Sequence, residues 1–262
     1  MSDLQDSKAS GGPVLLRLQG VHTHIGAYHI LHGVDLVVPA GQLTLLMGRN
    51  GAGKTTTLRT IMGLWQASQG QVLLDGKPIG GAGVQASTPA IAQADIAYVP
   101  ENMGIFSDLS VAENMLLAAR RARRFSELDT QRLEWLFGLF PALKKFWQYP
   151  AGKLSGGQKQ MLAIARAMIE PRRLLLIDEP SKGLAPAMVL NLIEALRELK
   201  ATGSVAVLLV EQNFRVAQAL GDRVAVMDDG QVVHTGAMDE LVRDEALQQR
   251  LLGLSVLAHS GA

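Results

Sequence analysis

At 262 residues, with 48% hydrophobic and 19% charged side chains, the chain holds enough apolar material for a sizeable core, which excludes global disorder. A net charge of +1 supplies no basic field, so a polyanion such as nucleic acid is not an expected partner. The lack of cysteine excludes disulfides, thiolate metal sites and cysteine nucleophiles, and no run of about 18 apolar residues is present to cross a bilayer.

Residues 1–13 are polar and small and lack the apolar stretch of a signal peptide, so a disordered tail is expected there. One folded domain is expected over 14–255, with a second tail at 256–262. Short Val- and Leu-rich runs bounded by Gly or Pro predict strands at 14–19, 34–38, 42–47, 71–75 and 95–99. Residues 80–89 are rich in Gly, Ala and Ser and read as a surface loop; Gly81-Ala-Gly83 lacks the third glycine of a dinucleotide fingerprint.

The period then changes. Ser110 and Glu113 form a capping box, and helical spacing runs on to about residue 124; a second helix is expected over 126–139. This block, about 107–149, reads as a small helical lobe. The basic run from Arg120 to Arg124 is expected on a solvated helix face, with a lipid-headgroup contact as the alternative. Alternation of strand and helix then resumes: a helix at 156–169, a strand at 173–178, a helix from Pro186, and a strand at 205–210. Strands at 223–227 and 231–235 flank Asp228-Asp-Gly230, a hairpin signal. The pattern implies an α/β fold with a mostly parallel sheet covered on both faces.

Three motifs carry chemistry. Gly48-Arg49-Asn50-Gly51-Ala52-Gly53-Lys54-Thr55 matches G-x-x-x-x-G-K-[ST] between a predicted strand and a helical run beginning at Thr56. Glycines let backbone amides curl around phosphate oxygens, Lys54 reaches the outer phosphates, and Thr55 offers a hydroxyl to Mg²⁺. The bland reading is a glycine-rich turn, which the strand–loop–helix context disfavours. Asp178-Glu179 ends an apolar strand: Asp178 is placed to hold Mg²⁺, and Glu179 to polarise a water that attacks the γ-phosphate. An arbitrary acid pair would simply be a solvated strand end. Leu154-Ser155-Gly156-Gly157-Gln158, alone a common capping turn, lies one helix upstream of that pair.

In this order and spacing, the motifs resemble those of ATP-binding cassette ATPases over about residues 14–252. The resemblance implies a phosphate-loop fold with a RecA-like mixed-sheet core, an antiparallel β subdomain and a small helical subdomain over about 107–170. It implies ATP and Mg²⁺ as cofactors, and it implies that Ser155, Gly156, Gly157 and Gln158 close over a nucleotide held by a second cassette.

Residues 154–164, Asp178 to Pro186, and Val210-Glu211-Gln212-Asn213 look like one branch, the second ATPase of branched-chain amino acid importers. That branch implies a heterodimer with another cassette, a homodimer being possible in isolation. It implies two transmembrane permease subunits, a periplasmic binding protein acting indirectly, and a peripheral place at the cytoplasmic face of the inner membrane. Ser181 to Leu184 would cross the dimer interface. Urea, amides or aromatic acids remain alternative cargoes, and a non-transport cassette or a generic phosphate-loop kinase is the rival class.

Three departures from the family pattern stand out. Glu101 occupies the place of a glutamine that offers oxygen to the metal. Gln212 replaces the switch histidine and cannot carry positive charge, which implies a weaker or structural switch. Ile25 stands where an aromatic stacks on adenine, leaving Tyr28 or His24 as substitutes. The cluster of His22, His24, His29 and His32 reads as coincidence rather than a metal site.

Overall fold

The computed structural model describes residues 12–84 and 87–253; the expected tails up to residue 11 and over 256–262 lie outside the described residues. Pro13 is already tied in, its carbonyl accepting from the Ala40 amide at 2.8 Å.

The first sheet is wider than the sequence suggests. β1 (Val14–Ile25) and β2 (Tyr28–Pro39) are long antiparallel partners joined by a turn at Gly26, where the pattern predicts only 14–19 and 34–38. Gly20 and Gly33 look like breaks in sequence, but here they sit at positive φ (53° and 85°) inside the strands. Gly20 lies at a register shift, and its amide donates to Asp35 Oδ1 at 2.9 Å. A glycine bulge keeps the strand running. β4 (Ala67–Leu74) pairs with the other edge of β1 and turns through Asp75-Gly76 into β5 (Lys77–Gly81), in the order β2-β1-β4-β5. Asp75 (φ 48°) and Gly76 (φ 72°) both adopt the left-handed conformation that a tight hairpin requires. β5 takes Gly80 and Gly81 out of the expected 80–89 loop, and α2 (Thr88–Gln93) takes Thr88 and Pro89. Gly81 serves close approach rather than a loop: a Cβ there would lie 2.5 Å from the Gly70 carbonyl oxygen.

The second sheet holds β3 (Leu43–Gly48), β6 (Ile96–Val99), β7 (Leu174–Asp178), β8 (Ala206–Val210), β9 (Arg223–Asp228) and β10 (Gln231–Ala237) in the order β10-β9-β3-β8-β7-β6. Every neighbouring pair is parallel except β9 with β10, which form the predicted hairpin. On one face α1 (Lys54–Ile61) shares a core with the first sheet. On the other lie α6 (Gly156–Met168), α7 (Pro186–Ala201), α8 (Phe214–Leu220) and α9 (Met238–Arg243), followed by α10 (Glu245–Leu252). β7 shows the consequence: Leu174 and Leu176 enter one core, Leu175 and Ile177 the other, and all are buried. A strand covered on both faces reads as an unbroken apolar run.

Between β6 and β7 the chain builds α3 (Val111–Ala118), α4 (Thr130–Leu139) and α5 (Pro141–Lys145) before α6. The Ser110 capping box forms as predicted: the Glu113 amide donates to Ser110 Oγ at 3.2 Å and the Ser110 amide to Glu113 Oε2 at 2.7 Å. The helix does not run on to residue 124. The chain turns at Ala119, and Arg120 folds back to Glu170 (2.7 Å) and Asp95 (2.8 Å), so the basic run is no helix face. A single 3-10 turn occupies Phe125–Glu127, and the next α-helix starts at Thr130 instead of 126, where Asp129 caps it by accepting from the Arg132 amide at 3.0 Å.

Asn114 anchors this helical segment. It is fully buried; its Oδ1 accepts from the Phe106 amide (2.9 Å), and its Nδ2 donates to the carbonyls of Phe106 (2.9 Å) and Ser110 (3.0 Å). Asn114→Ala strands these backbone groups at a cost of about 2 kcal/mol, expected as a fall in Tm of roughly 4–8 °C by calorimetry.

Candidate functional site

The carboxyl ends of β3, β6, β7 and β8 meet at one edge of the second sheet, where open α/β sheets bind ligands. β3 delivers the glycine loop and α1. Two of its glycines are obligatory: a Cβ on Gly48 (φ 143°) would lie 2.2 Å from the Met227 carbonyl oxygen, and one on Gly53 (φ 100°) 2.9 Å from Leu31 Cδ2. Ala52 is buried; Arg49, Asn50 and Gly51 are exposed; Thr55 and Thr56 on α1 are half-buried.

Lys54 is 4% exposed, and its ammonium donates to the carbonyls of Gly48 and Arg49, both at 2.9 Å. It lies 3.9 Å from Glu179 Oε1. Burial lowers its pKa, and the Glu179 and Asp178 carboxylates oppose that shift. The folded loop therefore holds a cation whose hydration has been removed, ready to meet negative charge.

Thr55 Oγ1 donates to Asp178 Oδ1 at 3.1 Å, and the Tyr98 phenol donates to Asp178 Oδ2 at 3.3 Å. Asp178 has no exposure. Burial raises its pKa first, with Glu179 and Glu101 adding to the effect and the bonds from Thr55 and Tyr98 opposing it. The same neighbourhood pushes the Tyr98 phenol up to about 12. A buried carboxylate beside a hydroxyl is a pair of hard oxygen donors, which suits a small cation that keeps most of its water.

Glu179 follows β7 in a left-handed backbone conformation (φ 46°), uncommon for a side chain of this length. Its Oε1 accepts from Gln212 Nε2, and its Oε2 lies 3.4 Å from Lys182 Nζ. The structure thus brings together Lys54, Thr55, Asp178, Glu179 and Gln212. Glu101 does not join the Thr55–Asp178 pair; its carboxylate meets Lys182 Nζ at 2.6 Å in an exposed ion pair.

Ser155, Gly156, Gly157 and Gln158 form a separate turn at the start of α6. Gln158 and Ser155 cap each other, with the Ser155 amide donating to Gln158 Oε1 at 2.9 Å. Ser155 and Gly156 face solvent, while a Cβ on Gly157 would lie 2.5 Å from Met188 Cε of α7. Tyr28 is 75% exposed at the β1–β2 turn, opposite Ile25. The histidines gather on the same hairpin, with His22 Nδ1 and His29 Nε2 3.0 Å apart, but no metal-holding group of three or more exists among the described residues.

The sequence reading missed Tyr98, and it included Lys182 and Glu211 only within the stretches Ser181 to Leu184 and Val210 to Asn213, with no role of their own. Tyr98 sits on the edge strand beside β7, and Glu211 is 1% exposed at the end of β8. The one available signal was a charged residue directly following the apolar run 205–210.

The ABC transporter family matches residues 31–182. The high-affinity branched-chain amino acid transport ATP-binding protein BraG of Pseudomonas aeruginosa is 37% identical over 91% of this chain and 100% of its own length. The probable branched-chain amino acid transport ATP-binding protein LivF of Archaeoglobus fulgidus is 32% identical over 92% and 99%. Among solved structures, the ADP conformation of MJ1267, an ATP-binding cassette of an ABC transporter, superposes with a TM-score of 0.74 at 25% identity, covering 92% of this chain and 99% of that one.

The raised pKa of Asp178 yields a signed prediction. A raised folded-state pKa contributes stability below the unfolded-state value, and that contribution is lost as pH rises through the folded value. Near neutral pH the buried charge therefore opposes folding. Asp178→Asn should raise the Tm of the nucleotide-free chain at about pH 7.5, and the gain should shrink as the pH falls towards about 4. Calorimetry across that range checks it.

Proposed function

This chain belongs to the ABC transporter family as an ATP-binding, ATP-hydrolysing subunit, and from that premise we propose that it powers import of branched-chain or related amino acids. Its end-to-end likeness to the two branched-chain cassettes supports that cargo. In this reading it pairs with a second, non-identical cassette under two permease subunits, served by a periplasmic binding protein. Its place is peripheral, at the cytoplasmic face of the inner membrane. No helix among the described residues is long and apolar enough to cross a membrane, and this reading gives the spanning segments to the permease subunits.

The observation that carries the chemistry is the Glu179 carboxylate held under the Gln212 amide beside Lys54. Glu179 orients the attacking water and accepts its hydrogen bond, and the fixed carboxylate needs no reorganisation at the moment of reaction. The glycine-loop amides and Lys54 take up the charge of the outer phosphates. Thr55 and Asp178 would hold Mg²⁺, which when bound neutralises phosphate charge; the buried Asp178, which forms no ion pair within 4 Å among the described residues, fits that role. Gln212 contributes a neutral donor that sets the direction of Glu179, consistent with a structural switch rather than a charged one. Glu101, paired with Lys182, would offer its oxygen to the metal only through water. The exposed Ser155 turn serves the nucleotide of the partner cassette, and Tyr28 offers its ring to adenine.

Glu179→Gln should bind ATP with unchanged affinity, slow turnover by about 100-fold or more, and accumulate as a closed dimer in ATP on size-exclusion chromatography. Normal turnover in that variant would remove Glu179 from its role. Tyr28→Ala should weaken ATP binding by about 1–3 kcal/mol in titration calorimetry if the ring stacks on the base. Purification in mild detergent should recover two permease subunits. Leucine-loaded binding protein should then stimulate ATPase activity, whereas stimulation only by an unrelated solute would overturn the cargo assignment.

A further inference from the structure

Glu211 is a buried carboxylate for which the mechanism above has no use. It is 1% exposed, and among the described residues it forms no ion pair. A buried charge without a counter-ion is expensive unless hydrogen bonds surround it. Here they do. Oε1 accepts from the Ser181 amide at 3.1 Å. Oε2 accepts from Ser181 Oγ (2.9 Å) and from the amides of Gln212 (3.1 Å) and Asn213 (3.2 Å). Burial still raises its pKa against these bonds.

The donors come from two loops. Ser181 belongs to the turn that follows β7, and Gln212 and Asn213 to the segment that follows β8. The same two loops are joined again at the active carboxylate, where Gln212 Nε2 donates to Glu179 Oε1, and along the backbone, where the Glu179 amide donates to the Val210 carbonyl at 2.9 Å. The path Glu179–Gln212–Glu211–Ser181 and back along the chain is a closed ring. A residue held at φ 46° persists only where its surroundings over-determine it.

We propose that Glu211 is a positioning residue: it ties Ser181 to the Gln212–Asn213 backbone and so keeps Glu179 in its left-handed conformation beneath the Gln212 amide. The proposal rests on the reading of Glu179 as the group that orients water. It also gives the loop from Ser181 to Leu184, expected to reach across to a partner cassette, a physical connection to that group, because whatever moves Ser181 pulls on the ring.

Glu211→Gln is the discriminating variant. It keeps the size of the side chain but sets an NH₂ against amide donors, so at least one backbone N–H loses its acceptor. In the transporter complex its kcat should fall about tenfold or more, while KM for ATP stays within about twofold. In the full-length chain, hydrogen exchange should quicken at the amides of 181, 212 and 213 and stay unchanged along α1. Ser181→Ala, which loses only the hydroxyl contact, should fall between wild type and Glu211→Gln, and the double variant should be no worse than Glu211→Gln because both act through one carboxylate. Unchanged kcat and exchange would overturn the proposal. So would a kcat loss matched by a rise in KM and faster exchange throughout α1, the mark of general loosening. If Glu179→Gln turns over normally while Glu211→Gln still frees the 181 and 212 amides, the tie stands and the water-orienting role fails.

Discussion

The hydrogen bond from Thr55 to Asp178 joins positions 123 residues apart and fixes the geometry on which the site depends. It fastens the first turn of α1 to the end of β7. Between β7 and β3 the sheet inserts β8, so Gln212, which follows that strand, emerges between the glycine loop and the acid pair. Lys54, Glu179 and Gln212 meet because of that strand order. With β8 at an edge, the same residues would lie apart.

This edge of the sheet is chemically uncomfortable. Lys54, Asp178 and Glu211 are each buried and each shifted by desolvation against their charged forms. Each is held by hydrogen bonds more than by matched ion pairs. The exposed ion pairs elsewhere, such as Lys144 with Glu134, contribute little to stability by comparison. Stability here comes from the two apolar cores on either face of the second sheet, which can carry a strained and desolvated rim.

What the sequence revealed follows from this division. The glycine loop, the acid pair and the Ser155 turn are local patterns, each carried by consecutive residues that stay together in space. Tyr98 and Glu211 matter only through the neighbours that strand order gives them, and no local pattern announces that. Gly20 and Gly33 disguised one long hairpin as two short strands, because a bulge and a break share the same residue. Asp75-Gly76 carries the same turn signal as Asp229-Gly230, but the strand expected at 71–75 ends on it and no strand is expected before the loop at 80–89, so the hairpin is not legible. The end of α3 was illegible for another reason: Arg120 leaves the helix to reach Glu170, an acid 50 residues away.

The close approach at Gly157 has a mechanical consequence. With no room for even a methyl group between it and Met188, the first turns of α6 and α7 bear directly on one another. α7 itself begins just beyond the acid-bearing loop that ends β7. Any displacement of the Ser155 turn at this point therefore meets Met188, in the first turn of the helix that follows Glu179 and its loop.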